Sequence, residues 1–407
     1  MQQVFKCHQL CKQDSPLGSY LDLYAAEMRK DGYPRHTIEF QVRVIADFGH
    51  WLSKRRLAAT NLSLDLCQAY LRARSRRKCQ TGMELSALRR LLDLLVRSGI
   101  VQKSVPPVMT PADRLASEYC SYLRQERGLS STTQSHYSAF VREFLRKRFG
   151  KGPVELSTLR AQDITGFVQR RASQIRSIRV QLMTTALRSF LRFARFRGDI
   201  ARDLAACVPA VANWKLSSIP RAIPAQQVKL LLDSINRKTG MGRRDYAILL
   251  LLARLGLRGG EITALTLEDL DWEEGLIRVR GKGGRYTQMP LPADVGEAIA
   301  DYLKDGRPNT NSRCVFLRVR APIGGFQGIT PICDIVRHAL RRAGIDLPRK
   351  GAHQFRHGLA CQMLQQGASL SEIGEILRHR SPQTTAIYAK VDLISLSTLA
   401  LPWPGGA

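Results

Sequence analysis

The chain has 407 residues, enough for two or three domains, and 44% of them are hydrophobic, as in folded rather than disordered proteins. No apolar run reaches membrane-spanning length, and the polar start MQQVFKCHQLCKQD does not read as a secretory leader, so a cytoplasmic protein without a membrane partner is expected. With 63 Lys and Arg against 34 Asp and Glu, the net charge of +29 favours nucleic acid over any other anionic partner.

In chain order, the first feature is Cys7, His8 and Cys11. They are metal-donor types, but no second pair accompanies them, and the preferred reading is an ordinary polar terminus. Nine cysteines without a repeated pair spacing fit reduced thiols better than a disulfide framework. Two proline-bearing breaks follow, VQKSVPPVMTP (Val101 to Pro111) and CVPAVANWKLSSIPRAIP (Cys207 to Pro224). Such clusters mark linkers, which divides the chain into 1–105, 106–215 and 216–407. The charge is uneven: residues 1–215 carry 37 basic and 17 acidic side chains, residues 216–407 carry 26 and 17. Arginine dominates, and its planar fork suits phosphate.

The first two segments read as copies of one helical bundle. GYPRHTIEFQVRVIADFGHWL (Gly32 to Leu52) parallels GLSSTTQSHYSAFVREFLRKR (Gly128 to Arg148), pairing Gly32 with Gly128, Thr37 with Thr133, Val44 with Phe140 and Phe48 with Phe144. LRRLLDLLVRSGI then parallels LRSFLRFARFRGDI. Each copy predicts about four amphipathic helices with arginines on the outer face.

The third segment is mixed. YAILLLLARL (Tyr246 to Leu255) predicts a buried helix, and Leu276 to Val279 with Tyr286 to Leu291 predict a hairpin around GKGG. Helical patterns return from Pro331. The expected fold is therefore mainly α, with N-terminal helical bundles plus an α+β catalytic domain of helices around a small antiparallel sheet.

Four places in this segment carry chemistry-bearing side chains. In GLRGGEITAL, Arg258 is either a solvated cap or a guanidinium held where two helices meet, with Glu261 buttressing it. Lys282 sits in RGKGGRY, where glycines let a turn approach a ligand closely, although Gly and Lys are also common at hairpin tips. In HQFRH, His353 and Arg356 share a helix face. The i, i+4 pair His353 and His357 is spaced for a metal, but no metalloprotease glutamate accompanies it and Arg356 would repel a cation, so an anion is the better guest. LRHRSPQTTAIYAK brings His379, a helix start at Ser381-Pro382, and Tyr388. The set contains neither paired carboxylates nor a metal cage, which argues against glycosidases, Mg-dependent nucleases and Zn hydrolases. It suits a phosphodiester attacked by tyrosine. Arginines and imidazoles would stabilise the charge of the phosphorane, and a lysine would protonate the leaving oxygen.

Arg258 in GLRGGE, Lys282 in GKGG, His353 and Arg356 in HQFRH, His379 in LRH and Tyr388 together resemble the tyrosine recombinase (phage integrase) family. The resemblance covers 221–407, and the duplicated bundles resemble that family's core-binding domain. It implies that Tyr388 attacks a DNA phosphodiester to give a 3′-phosphotyrosyl link, with Arg258 and Arg356 on the non-bridging oxygens. Lys282 would be the acid for the 5′-oxygen, His353 would assist proton transfer, and His379 would hydrogen-bond the phosphate. It implies no cofactor, neither metal nor ATP. The implied partners are double-stranded DNA and further copies of the chain in a tetrameric synapse, with other recombinases or accessory DNA-binding proteins as additional candidates. A mobile-element integrase is the expected role. A type IB topoisomerase-like nicking enzyme and a catalytically silent DNA-binding accessory protein are the alternatives.

Two departures from the family pattern stand out. Arg378 occupies the place of the glycine in Leu-Gly-His, and reads either as a residue reaching DNA or a neighbouring subunit or as a solvated arginine. The chain also carries an additional helical segment, 1–105, expected to bind further DNA. The tail DLISLSTLALPWPGGA is expected to dock on a neighbouring protomer.

Overall fold

The computed structural model describes residues 15–75, 82–102, 109–211, 222–281, 284–348, 350–392 and 396–397. Cys7, His8 and Cys11, Lys282, and the tail apart from Asp392, Leu396 and Ser397 lie outside the described residues.

The first helical bundle comprises α1 (Leu21–Lys30), α2 (Arg35–Ser53), α3 (Leu64–Ser75) and α4 (Gly82–Arg97). Helical spacing gives each an apolar stripe. Tyr24, Met28, Ile45, Phe48, Leu88, Leu91 and Leu95 are buried in one shared core. Polar Gln41 is buried among them, where it accepts from the Tyr24 hydroxyl at 2.5 Å and from Arg90 at 3.2 Å. These bonds offset the desolvation of its amide.

The second bundle comprises α5 (Pro111–Gln125), α6 (Ser131–Phe149), α7 (Ala161–Ala172) and α8 (Ser177–Phe196). Thr110 caps α5 ahead of Pro111, and Ser130 caps α6, so both starts follow ordinary N-terminal chemistry. Phe140, Phe144, Phe167, Leu187 and Phe190 fill its core. Gly32 and Gly128 both take the left-handed conformation, at φ +79° and +56°, just before the 19-residue helices α2 and α6. Val44 and Phe48 in one bundle, and Phe140 and Phe144 in the other, are buried.

Residues 104–215 form one compact unit, whereas 1–103 belong to the same unit as 216–407. Within that larger unit the Ile323 N–H donates to the Asp31 carbonyl at 2.9 Å. Ile323 also lies so close to Gly32 that a Cβ there would sit 2.4 Å from Ile323 Cδ1.

The third segment begins with α9 (Ala225–Asp233) and α10 (Gly240–Arg254). Five consecutive residues of α10, Ile248 to Leu252, are buried, so this helix is covered on every side. After the short α11 (Gly259–Ala264) come β1 (Leu270–Asp271), β2 (Leu276–Arg280) and β3 (Tyr286–Pro290). They form an antiparallel sheet in the order β1-β2-β3, with Leu270 opposite Ile277 and Ile277 opposite Met289. Ile277, Val279 and Met289 face the core while Arg278, Arg280 and Gln288 face out, as strand periodicity requires. The hairpin lies where the alternation places it. The sequence pattern does not predict the two-residue β1, because so short an edge carries no readable period. Helices α12 (Ala293–Asp305), α13 (Thr330–Arg342), α14 (His353–Gln365), α15 (Leu370–Ile376) and α16 (Pro382–Thr385) complete the segment, with a 3₁₀ turn over Ala386–Val391. The chain is thus mainly helical around a small antiparallel sheet, the expected fold class. Among the described residues, no helix is long and apolar enough to cross a membrane.

Candidate active site

The site is assembled where three chain turns meet. The first follows α10: Gly256 at φ +56° turns the backbone so that Arg258 becomes the N-cap of α11. Glycine suits this turn, since a Cβ there would lie 2.8 Å from Leu377 Cδ2 as well as adopting a left-handed conformation. Arg258 Nη1 donates to Glu261 Oε1 at 2.7 Å, and the Arg258 backbone N–H donates to Oε2 at 2.9 Å. The arginine side chain keeps a third of its surface exposed, whereas the Glu261 side chain is 4% exposed. Arg258 is therefore a held guanidinium with one open edge.

Arg356 ties this turn to the one over Leu377–His379. It is 1% exposed on the first turn of α14, and it donates to the Gly256 carbonyl at 2.7 Å and to the Leu377 carbonyl. A buried guanidinium with these partners fixes the turn before Arg258 against the turn before His379. Burial, then the charges of Arg258 and Arg378, bring its pKa down to about 10, so it remains a cation at neutral pH.

The Leu377–His379 turn ends α15 in a Schellman closure. The His379 N–H reaches the Gly374 carbonyl at 2.8 Å, and the Arg378 N–H reaches Glu375 at 2.9 Å. Such a closure places the intervening residue in the left-handed region, and Arg378 has φ +55°. The glycine-like conformation is kept even though the residue is arginine. Its side chain is turned inward rather than outward: Nη2 donates to Glu261 Oε2 at 3.0 Å, and only 10% of the side chain is exposed. The solvated and DNA-facing readings of Arg378 both give way to this inward ion pair.

His379 Nδ1 lies 2.7 Å from the Thr385 hydroxyl. Its ring stacks on Tyr388 with centroids 6.4 Å apart and planes 9° from parallel. Burial and then the Arg356 and Arg258 charges push its pKa down to about 4, which makes it a neutral imidazole at physiological pH. His353 starts α14 with an exposed face. Desolvation of its inner edge, followed by the same two arginine charges, holds its pKa below the usual imidazole value.

Tyr388 is 1% exposed. The helix expected from Ser381-Pro382 covers only Pro382–Thr385, and Tyr388 lies on the following 3₁₀ turn. β-Branched Thr384 and Thr385 favour the early end of the helix. The Tyr388 hydroxyl is 2.9 Å from His357 Nδ1. Burial lifts the phenol to about 12, while the Arg356 and Arg258 charges pull in the opposite direction. The site thus gathers Arg258, His353, Arg356, His379 and Tyr388, with Lys282 outside the described residues. His357 and Thr385 join it, in roles that the sequence pattern does not assign to them. The i, i+4 spacing in HQFRH relates His357 to His353, whose rings meet edge-on at 4.9 Å, but the contact with Tyr388 spans 31 residues.

Residues 221–393 match the Phage integrase family, and residues 116–198 match the family described as Phage integrase, N-terminal SAM-like domain. The chain is 50% identical to the Sinorhizobium fredii protein named "Putative integrase/recombinase y4rA", over 97% of this chain and 96% of that one. It is 30% identical to the tyrosine recombinase XerA of Pyrococcus furiosus, covering 69% of this chain and 91% of that one. The fold resembles that of a XerH site-specific recombinase in a post-cleavage complex with palindromic difH substrate, with a TM-score of 0.58 at 17% identity over 73% of this chain and 98% of the other.

Proposed function

Since the chain belongs to the phage integrase, or tyrosine recombinase, family, we propose that it cuts and rejoins double-stranded DNA at specific sites through a tyrosine-linked intermediate. The observation that carries this reading is the buried Tyr388 hydroxyl, 2.9 Å from His357 Nδ1, on a ring that stacks on His379 and feels the charges of Arg356 and Arg258. In the proposed reaction Tyr388 Oη attacks phosphorus, forming a 3′-phosphotyrosyl link and releasing a 5′-hydroxyl. Arg258 offers its open edge to a non-bridging oxygen. Arg356 contributes positive charge and braces the turns that carry Arg258 and His379. Neutral His379 and His353 donate hydrogen bonds to the phosphate without adding repulsive charge. Lys282 is assigned the proton for the departing 5′-oxygen. The phosphotyrosyl bond conserves the energy of the phosphodiester, so the reaction as proposed needs no ATP and no metal.

Rejoining to a partner strand calls for a tetramer on two DNA sites. The close relationship to an integrase/recombinase over almost the whole chain favours mobile-element DNA as the substrate. The net charge of +29 supports tight phosphate binding. A nicked suicide duplex, carrying the sequence the chain selects from random DNA, tests the proposal. A covalent adduct lost in Tyr388→Phe is expected. Tight binding without an adduct would instead identify a silent accessory protein, and relaxation of supercoiled DNA without strand exchange would identify a topoisomerase-like enzyme.

A further inference from the structure

Resting on the strand-cleavage reading above, the geometry points to His357 as the residue that takes the Tyr388 proton during attack. A buried phenol must lose its proton to become a useful nucleophile, and burial favours the neutral form. His357 Nδ1 is already at 2.9 Å from the hydroxyl, within proton-transfer reach. The remaining neighbours are less suited to the task. Arg258 and Arg356 are cations without an acceptor atom. His379 lies face to face with the Tyr388 ring, centroids 6.4 Å apart, and its Nδ1 is engaged by Thr385 at 2.7 Å. His353 stands beside His357, edge-on at 4.9 Å, one helical turn before it.

The role requires the His357 tautomer that carries its hydrogen on Nε2, leaving the Nδ1 lone pair to face the phenol. The step then balances. The Tyr388 O–H bond breaks and its proton passes to Nδ1, while the Oη–P bond forms and the P–O5′ bond breaks. The departing oxygen takes a proton from the acid assigned to Lys282. When the 5′-hydroxyl of the partner strand attacks, its proton passes to the group that gave one up in the first step, the O5′–P bond forms, the P–Oη bond breaks, and His357 returns its proton to Tyr388. One histidine would therefore serve both halves of the exchange.

The test uses the full chain on the same nicked suicide duplex. His357→Gln preserves polarity and approximate size but removes the basic nitrogen, and it should slow adduct formation by about a hundredfold, the low end of general acid–base effects. DNA affinity should be unchanged, which reports an intact fold. Incorporating a fluorinated tyrosine at position 388 lowers the phenol's demand for a base. It should restore the Gln variant by about tenfold or more while changing the parent chain little. A Gln variant as fast as the parent, or faster, would overturn the assignment, the latter by showing that the bond stores Tyr388 away from its work. A slow variant that fluorination fails to rescue would also overturn it, in favour of a purely structural hydrogen bond. Absence of an adduct from the parent itself would overturn the cleavage reading, and this assignment with it.

Discussion

Arg378 Nη2 donates to Glu261 Oε2 at 3.0 Å across 117 residues of chain, while the other oxygen of that carboxylate accepts from Arg258 Nη1 at 2.7 Å. One buried carboxylate therefore holds two guanidiniums, one with an open edge and one almost enclosed. The cost is an arginine at φ +55°, which a non-glycine residue adopts at roughly 1–2 kcal/mol. Replacing Arg378 separates the two effects. Arg378→Ala loses the ion pair and keeps the strain; Arg378→Gly loses the pair and relieves the strain. Both should be less stable than the parent, by up to about 3 kcal/mol. The Gly variant should exceed the Ala variant by about 1 kcal/mol in urea denaturation. Equal midpoints for Gly and Ala would mean that the backbone strain has no energetic weight.

Glu261 supplies a second, pH-dependent signature. Burial works to raise its pKa, but the Arg258 backbone N–H, the Arg378 charge and the Arg258 side chain outweigh it, and the net shift is downward from 4.5. A carboxylate depressed in the folded state contributes stability above its unfolded pKa and loses that contribution as pH falls through the folded one. The parent should therefore lose stability on acidification below about pH 4.5 more steeply than Glu261→Gln. At neutral pH the parent should be the more stable of the two, since the Gln variant leaves Arg258 and Arg378 without their counter-charge. Urea midpoints at neutral and acid pH would show both effects.

His379 adds a further loss on acidification, in a higher window. Its folded pKa is about 4 against 6.5 when unperturbed, so between these values the unfolded chain binds a proton that the folded chain does not. Stability contributed by the neutral ring is complete above pH 6.5 and is lost as pH falls towards 4. His379→Gln should flatten that slope. Thr385→Val, which removes the hydroxyl 2.7 Å from Nδ1, should leave the slope present but lower the rate of adduct formation by about tenfold through a less firmly oriented ring. A Val variant with parental rate would show that the ring is oriented by packing on Tyr388 alone.

Much of this site was legible in the order of residues because its chemistry is local. GLRGGE encodes a turn, a cap and its carboxylate within six positions, and the Arg258–Glu261 ion pair is three residues long. The left-handed turn at Arg378 survives where glycine was expected because the Schellman bonds belong to the backbone. What could not be read was the partner of each side chain over distance. Arg378 looks like a surface residue until the chain brings it to Glu261, and His357 looks like an i, i+4 companion of His353 until Tyr388 arrives beside it. Hydrophobic periodicity outlined α10 and the hairpin, whereas the two-residue β1 and the early end of α16 depend on neighbours that no local pattern names.

The first bundle leads to the last prediction. Residues 1–105 carry 18 basic and 9 acidic side chains, and 106–215 carry 19 and 8, so both bundles have the charge balance of a phosphate-binding surface. The first has its own core and belongs with the third segment, touching it through Asp31, Gly32 and Ile323. At the end of α2, Lys54, Arg55 and Arg56 form an exposed basic corner, and the Arg55 guanidinium lies 3.8 Å over the Trp51 ring, which fixes its direction. If this bundle binds DNA beyond the core site, Lys54→Gln with Arg55→Gln and Arg56→Gln in the full chain should weaken binding with little dependence on sequence. The slope of log K against log salt should fall by about 0.9 for each phosphate that the variant no longer neutralises. The protected stretch in a footprint should also shorten on one side, and a 106–407 fragment should shorten it further. A triple variant with parental slope and footprint would instead make the first bundle a protein-binding domain, its arginines serving the assembly of neighbouring copies.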